Sequence, residues 1–76
     1  MPRHNDPDNL RAAIAFRLRE ARVSAGLSQR LLAQEVGLHR EAITEIEQGR
    51  RSLSAEELSR LAWRLGVTVT WLAEGR

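Results

Sequence analysis

Residues 28–49 read SQRLLAQEVGLHREAITEIEQG, and this stretch decides the fold. Ser28 stands where a helix N-cap belongs, and the run from Gln29 to Val36 meets no Gly or Pro until Gly37. A second run, 39–48, ends at Gly49. At about 100° per residue, Ile43 and Ile46 fall on one face of that second helix. Glu41, Thr44, Glu45 and Gln48 fall on the other, with Arg40 at the edge near the N-terminus. The spacing predicts two short helices joined by a tight turn at Gly37-Leu38. Leu31, Leu32 and Ala33 of the first are expected to point inward, and the outer face of the second is expected to stand in solvent.

The helical period continues on both sides. Ile14, Leu18, Ala21 and Ala25 recur at i, i+4, i+7 and i+11, predicting a helix over 10–25 with Asp8 or Asn9 as cap and Gly26 as stop. Ser54-Ala-Glu-Glu57 has the form of a capping box and opens a helix to Leu65, with Leu58, Leu61, Ala62 and Leu65 inward. Thr68 is placed to cap a last turn over 69–73. Linkers hold two to five residues, and no strand-like alternation appears. The expected fold is all-α, with five helices in one domain over 10–76. A flexible arm over 1–9, holding both prolines, precedes it.

Composition narrows the function. A chain of 76 residues is one small domain, without room for a catalytic domain beside a binding domain. With no Cys there is no disulfide, thiolate metal site or thiol nucleophile, and two His in polar sequence do not make a metal cage. No apolar run approaches the roughly 20 residues that span a bilayer, and the polar start MPRHNDPDN is no signal peptide. A phosphate-cradling Gly loop is also missing. The reading is a cytoplasmic protein that is not an enzyme, with no cofactor, no metal and no membrane partner.

The pI near 11.0 looks like that of a nucleic-acid binder, but the net charge is +2. All 12 Lys+Arg residues are Arg, so almost nothing titrates between His and Arg, and a small excess drags the pI upward. Distribution says more. Residues 11–30 carry five Arg against Glu20, whereas residues 31–57 carry six Glu against Arg40, Arg50 and Arg51. The helix with the solvent-facing surface lies in the acidic part.

The chain from about Ile14 to Gly75 resembles the phage repressor Cro/C1-type (Xre-like) helix-turn-helix family. Arg22, Gly26-Leu27-Ser28-Gln29, Leu32-Ala33, Gly37, Ile43, Ile46-Glu47, Gly49, Leu61-Ala62 and Leu65-Gly66-Val67 carry the resemblance. It implies a lambda-repressor-like DNA-binding domain of bacterial or phage origin, whose third helix enters the major groove. Base-reading positions would be His39, Arg40, Glu41, Thr44 and Glu45, and phosphate contacts would come from Ser28, Gln29, Arg50 and Arg51. Arg22 and Glu47 match a structural ion pair beneath the reading helix. His39 departs from the Ser or Thr usual at its position.

These readings lead to a sequence-specific regulator of transcription, a repressor, binding a near-palindromic operator in double-stranded DNA as a homodimer. One short helix reads few base pairs, so two copies are needed. Phe16 and Trp63 lie off the inward stripes and are candidate oligomer contacts. Arg17 and Arg19 are expected to be solvated. The alternative is an antitoxin-like or adaptor module whose main partner is a cognate toxin or another protein.

Overall fold

A computed structural model describes residues 7–76, all-helical and without strands. Five helices follow one another: α1 (Pro7–Ser24), α2 (Gln29–Val36), α3 (Arg40–Glu47), α4 (Ala55–Leu65) and α5 (Val69–Glu74). α1 packs on α3 and α5, α2 on α3 and α4, and α4 on α5. The centre is built from all five: Leu18, Leu32, Ile43, Ile46, Leu61 and Leu72 are fully buried. Leu58, Leu65 and Trp71 pack against this core from its edge.

The caps explain the boundaries. The Ser28 and Thr68 hydroxyls accept from the Leu31 and Trp71 amides, and Ser54 and Glu57 form the complete capping box. Gly37 closes α2 at φ 73°, a left-handed conformation that a side chain resists, and the Leu38 amide turns back onto the Ala33 carbonyl at 2.8 Å. That turn fixes the angle at which α3 leaves α2.

Three expectations are corrected here. α1 begins at Pro7, not near Leu10, so residues 7–9 join the helix. Proline suits a first helical turn, whose amides lack intrahelical partners. The rest of the expected arm, 1–6, lies outside the described residues. Ala25 is exposed and falls beyond α1, because the chain has already turned toward Gly26. Leu31 is 38% exposed, whereas Leu32, Ala33 and Val36 carry the inward face of α2. Three consecutive residues span about 200° of a helix and cannot all face one core.

Candidate nucleic-acid interface

The apolar seam of α3 decides what the helix shows to solvent. Ile43 and Ile46 are buried, so Arg40, Glu41 and Glu45 are exposed on the opposite face, with Thr44 half-buried between them. A shallow depression on the surface is lined by Gln29, Arg40, Glu41, Thr44 and Glu45. Four of the five expected base-reading residues therefore sit together, beside the first residue of α2. His39, also exposed, is the N-cap of α3, but its side chain makes no capping hydrogen bond.

Beneath this face lies a polar network. The Arg22 guanidinium donates through Nε to Glu47 Oε2 at 2.6 Å and through Nη2 to Oε1 at 3.0 Å. Its Nη1 donates to the Leu27 carbonyl at 2.8 Å. The Glu47 side chain is 4% exposed and that of Arg22 12%, so water screens this pair little. The bonds to Glu47 raise the Arg22 pKa, against the opposing effect of burial. Arg22, the last turn of α1, thus ties α1 to the end of α3 and to the segment entering α2.

Gln29 extends the network. Its Nε2 donates to Glu47 Oε1 at 3.1 Å, and its Oε1 accepts from the Thr44 hydroxyl at 2.9 Å. The family resemblance implies a phosphate contact for this amide. In the structure both of its ends are engaged inside the protein, and one amide N–H is left for an outside acceptor. Ser28 accepts from the Leu31 amide, while its exposed hydroxyl proton has no part in the cap.

The two loop arginines after α3 differ. Arg50 is exposed. Arg51 is held by Glu57, Nη1 to Oε1 at 3.1 Å and Nη2 to Oε2 at 2.8 Å, a two-pronged fork. The same fork, seconded by the Ser54 amide, holds the Glu57 carboxyl down at about 2. Arg51, expected to contact phosphate, is therefore a third exposed and already partnered by Glu57.

Three further arginines have roles that residue spacing did not reveal. Arg17, expected to be solvated, donates to the Leu72 and Ala73 carbonyls at 2.9 Å each, closing the C-terminal turn of α5. Arg60 donates to the Val36 carbonyl at 3.1 Å, at the end of α2. Arg64 pairs with Glu35. Clustering of basic residues is the usual signal for a DNA-facing surface, yet these are spent on helix ends and ion pairs. Arg19 is exposed as expected. Phe16 and Trp63 are also exposed, at 67% and 84%.

Two short helices joined at a glycine turn, the second buried along one seam and bared along the other, define a helix-turn-helix unit. The comparisons agree: the model of the helix-turn-helix family HTH_3 matches residues 18–72. The chain belongs to this Cro/C1-type family of DNA-binding transcription regulators.

The control protein C.BamHI of Bacillus amyloliquefaciens is 36% identical over 61 residues, covering 79% of this chain and 75% of that protein. A hypothetical transcription factor of Neisseria meningitidis serogroup B is 36% identical over 62 residues, or 82% of this chain. The match spans 58% of that relative's length. Among solved structures, the restriction-modification controller protein C.AhdI from Aeromonas hydrophila aligns with a TM-score of 0.78 at 35% identity, covering 82% of this chain and 94% of that one. The P22 c2 repressor, solved with a synthetic operator, aligns with a TM-score of 0.79 at 25% identity, covering 83% and 96%. Among the described residues, no helix is long and apolar enough to cross a membrane.

Proposed function

We propose that this chain is a cytoplasmic, sequence-specific repressor of transcription that binds a near-palindromic operator as a homodimer, with α3 in the major groove. The observation that carries the reading is the division of α3. Ile43 and Ile46 anchor it, and Arg40, Glu41, Thr44 and Glu45 line one open depression. A helix presented in this way fits the roughly 12 Å major groove. Arg40 is suited to guanine O6 and N7, and Glu41 and Glu45 to cytosine N4. Ser28, Gln29 through its remaining N–H, His39 and Arg50 flank the reading face and supply contacts to bases or phosphates. Resemblance to a repressor solved with its operator and to two control proteins supports the same conclusion.

Dimerisation follows from arithmetic: one α3 meets few base pairs, and a two-fold pair places two of them about 34 Å apart, one turn of DNA. Phe16 and Trp63 are the exposed aromatic residues available for that contact. Selection from randomised duplexes with the purified chain tests the proposal. A near-palindromic consensus, bound with steep salt dependence, is expected. If no sequence outcompetes random DNA at low salt, the proposal falls.

A second reading, an antitoxin-like or adaptor module, is favoured by one observation. Trp63, 84% exposed, stands at the rim of an open surface depression with Glu35, Val36, Arg60 and Arg64, which suits a protein partner.

A further inference from the structure

The polar network under α3 has a direction. Arg22 has donors alone, so Glu47 meets it as an acceptor with both carboxylate oxygens. Glu47 Oε1 then requires a donor from Gln29, and the amide answers with Nε2 at 3.1 Å. Turning the amide over would set its oxygen against a carboxylate whose side chain is 4% exposed, an unfavourable contact. Gln29 Oε1 is thereby left facing Thr44, at 2.9 Å from the hydroxyl. The other group within reach of Thr44 Oγ1 is the Arg40 carbonyl at 3.2 Å, again an acceptor. A hydroxyl has one proton and two lone pairs. Both inner neighbours of Thr44 claim the proton, so the outer side of Oγ1 carries lone pairs.

We infer that Thr44 reads an exocyclic amino group, adenine N6 or cytosine N4, and that Arg22, Glu47 and Gln29 are positioning residues fixing this polarity. The inference rests on the DNA-reading function proposed above. A free threonine hydroxyl donates to thymine O4 or guanine O6 as readily as it accepts from an amino group, and so discriminates poorly. With its proton turned inward, Thr44 repels a keto oxygen at the same place. Gln29 thus sharpens sequence choice from beneath the reading helix, without needing to touch a base.

Two variants separate the hydroxyl from the methyl. Thr44→Val keeps the methyl and removes Oγ1; Thr44→Ser does the reverse. Randomised-duplex selection is run on the parent chain and both variants. Thr44→Val is expected to lose preference at one base pair in each half-site, roughly tenfold in relative affinity, the scale of one base contact. Thr44→Ser is expected to keep it.

The preferred duplex is then remade with hydrogen in place of that amino group, using purine for adenine or pyrimidin-2-one for cytosine. The parent should lose about the same factor, and Thr44→Val should lose nothing further. Gln29→Leu removes the nearer of the two inner acceptors and leaves the Arg40 carbonyl at 3.2 Å to hold the Thr44 proton, so it should relax preference at the same base pair while leaving the others in order. The inference is overturned if a consensus exists and Thr44→Val preserves every preference. It is also overturned if Thr44→Ser alone loses one, or if the duplex lacking the amino group weakens parent and Thr44→Val equally. A parent chain with no preferred duplex in the first selection overturns the DNA-reading function itself, and this inference with it.

Discussion

Arg51 grips Glu57 through both guanidinium Nη atoms, and Glu57 is at the same time the acid that caps α4. One carboxylate joins the loop after α3 to the start of α4. Its pKa, pulled from 4.5 to about 2, sits below the unfolded value. The stability it supplies is present above about pH 4.5 and is lost as pH falls toward 2. Arg51 is a third exposed, so solvent screening limits the effect to about 1 kcal/mol. Glu57→Gln keeps a capping-box side chain but ends the fork. It should lower the parent's stability at pH 7 and flatten its pH dependence between 4.5 and 2, measured by urea denaturation across that window.

Arg22 and Glu47 predict a non-additive pair. Arg22→Met leaves a nearly buried carboxylate without its cation, at a cost of about 3–5 kcal/mol, a large share of a small domain's stability. The double substitution Arg22→Met with Glu47→Leu should be milder than Arg22→Met alone, because no charge is stranded. Denaturation midpoints of the three proteins check this; additive losses would contradict it.

Arg40 and Arg50 should separate reading from holding. Arg40→Ala is expected to relax preference at one base pair per half-site, by about 1–3 kcal/mol. Arg50→Ala should weaken all duplexes alike and reduce the slope of log affinity against log salt by about 1. Competition binding with consensus and scrambled duplexes at several salt concentrations distinguishes them.

Phe16 and Trp63 should report on self-association. The doubly substituted Phe16→Glu/Trp63→Glu chain is expected to be monomeric at concentrations where the parent dimerises. It should bind a half-site unchanged and the full palindrome more weakly. Sedimentation equilibrium with duplex titration checks both, and an unchanged dimer would remove these two residues as the contact.

The fold was largely legible because caps and glycines punctuate the chain: Ser28, Ser54 and Thr68 open helices, and Gly37 and Gly66 close them. The exposed face of α3, proposed to read DNA, was legible for a related reason, since Ile43 and Ile46 leave a single side of α3 for solvent. The fate of individual arginines was hidden. Arg17, Arg51 and Arg60 look alike in a charge count. Whether a long cationic side chain meets water, a carboxylate or a helix end depends on which chain segments fold beside it, and that is not a local property. The Thr44–Gln29 bond was missed for the same reason: it needs the angle between α2 and α3, set at Gly37.

Arg17 reaches a carbonyl 55 positions away along the chain, so its bonds to α5 fasten the last helix onto the first. Contacts of such long sequence separation raise the contact order of a fold, and we take this one to be absent from the folding transition state. Closing so long a loop costs little more than closing a shorter one, and the clasp acts mainly as a latch against opening. Arg17→Met should therefore hasten unfolding while leaving the folding rate nearly unchanged. The lifetime of the folded domain would then be governed where the middle of α1 meets the end of α5, rather than from the exposed face of α3.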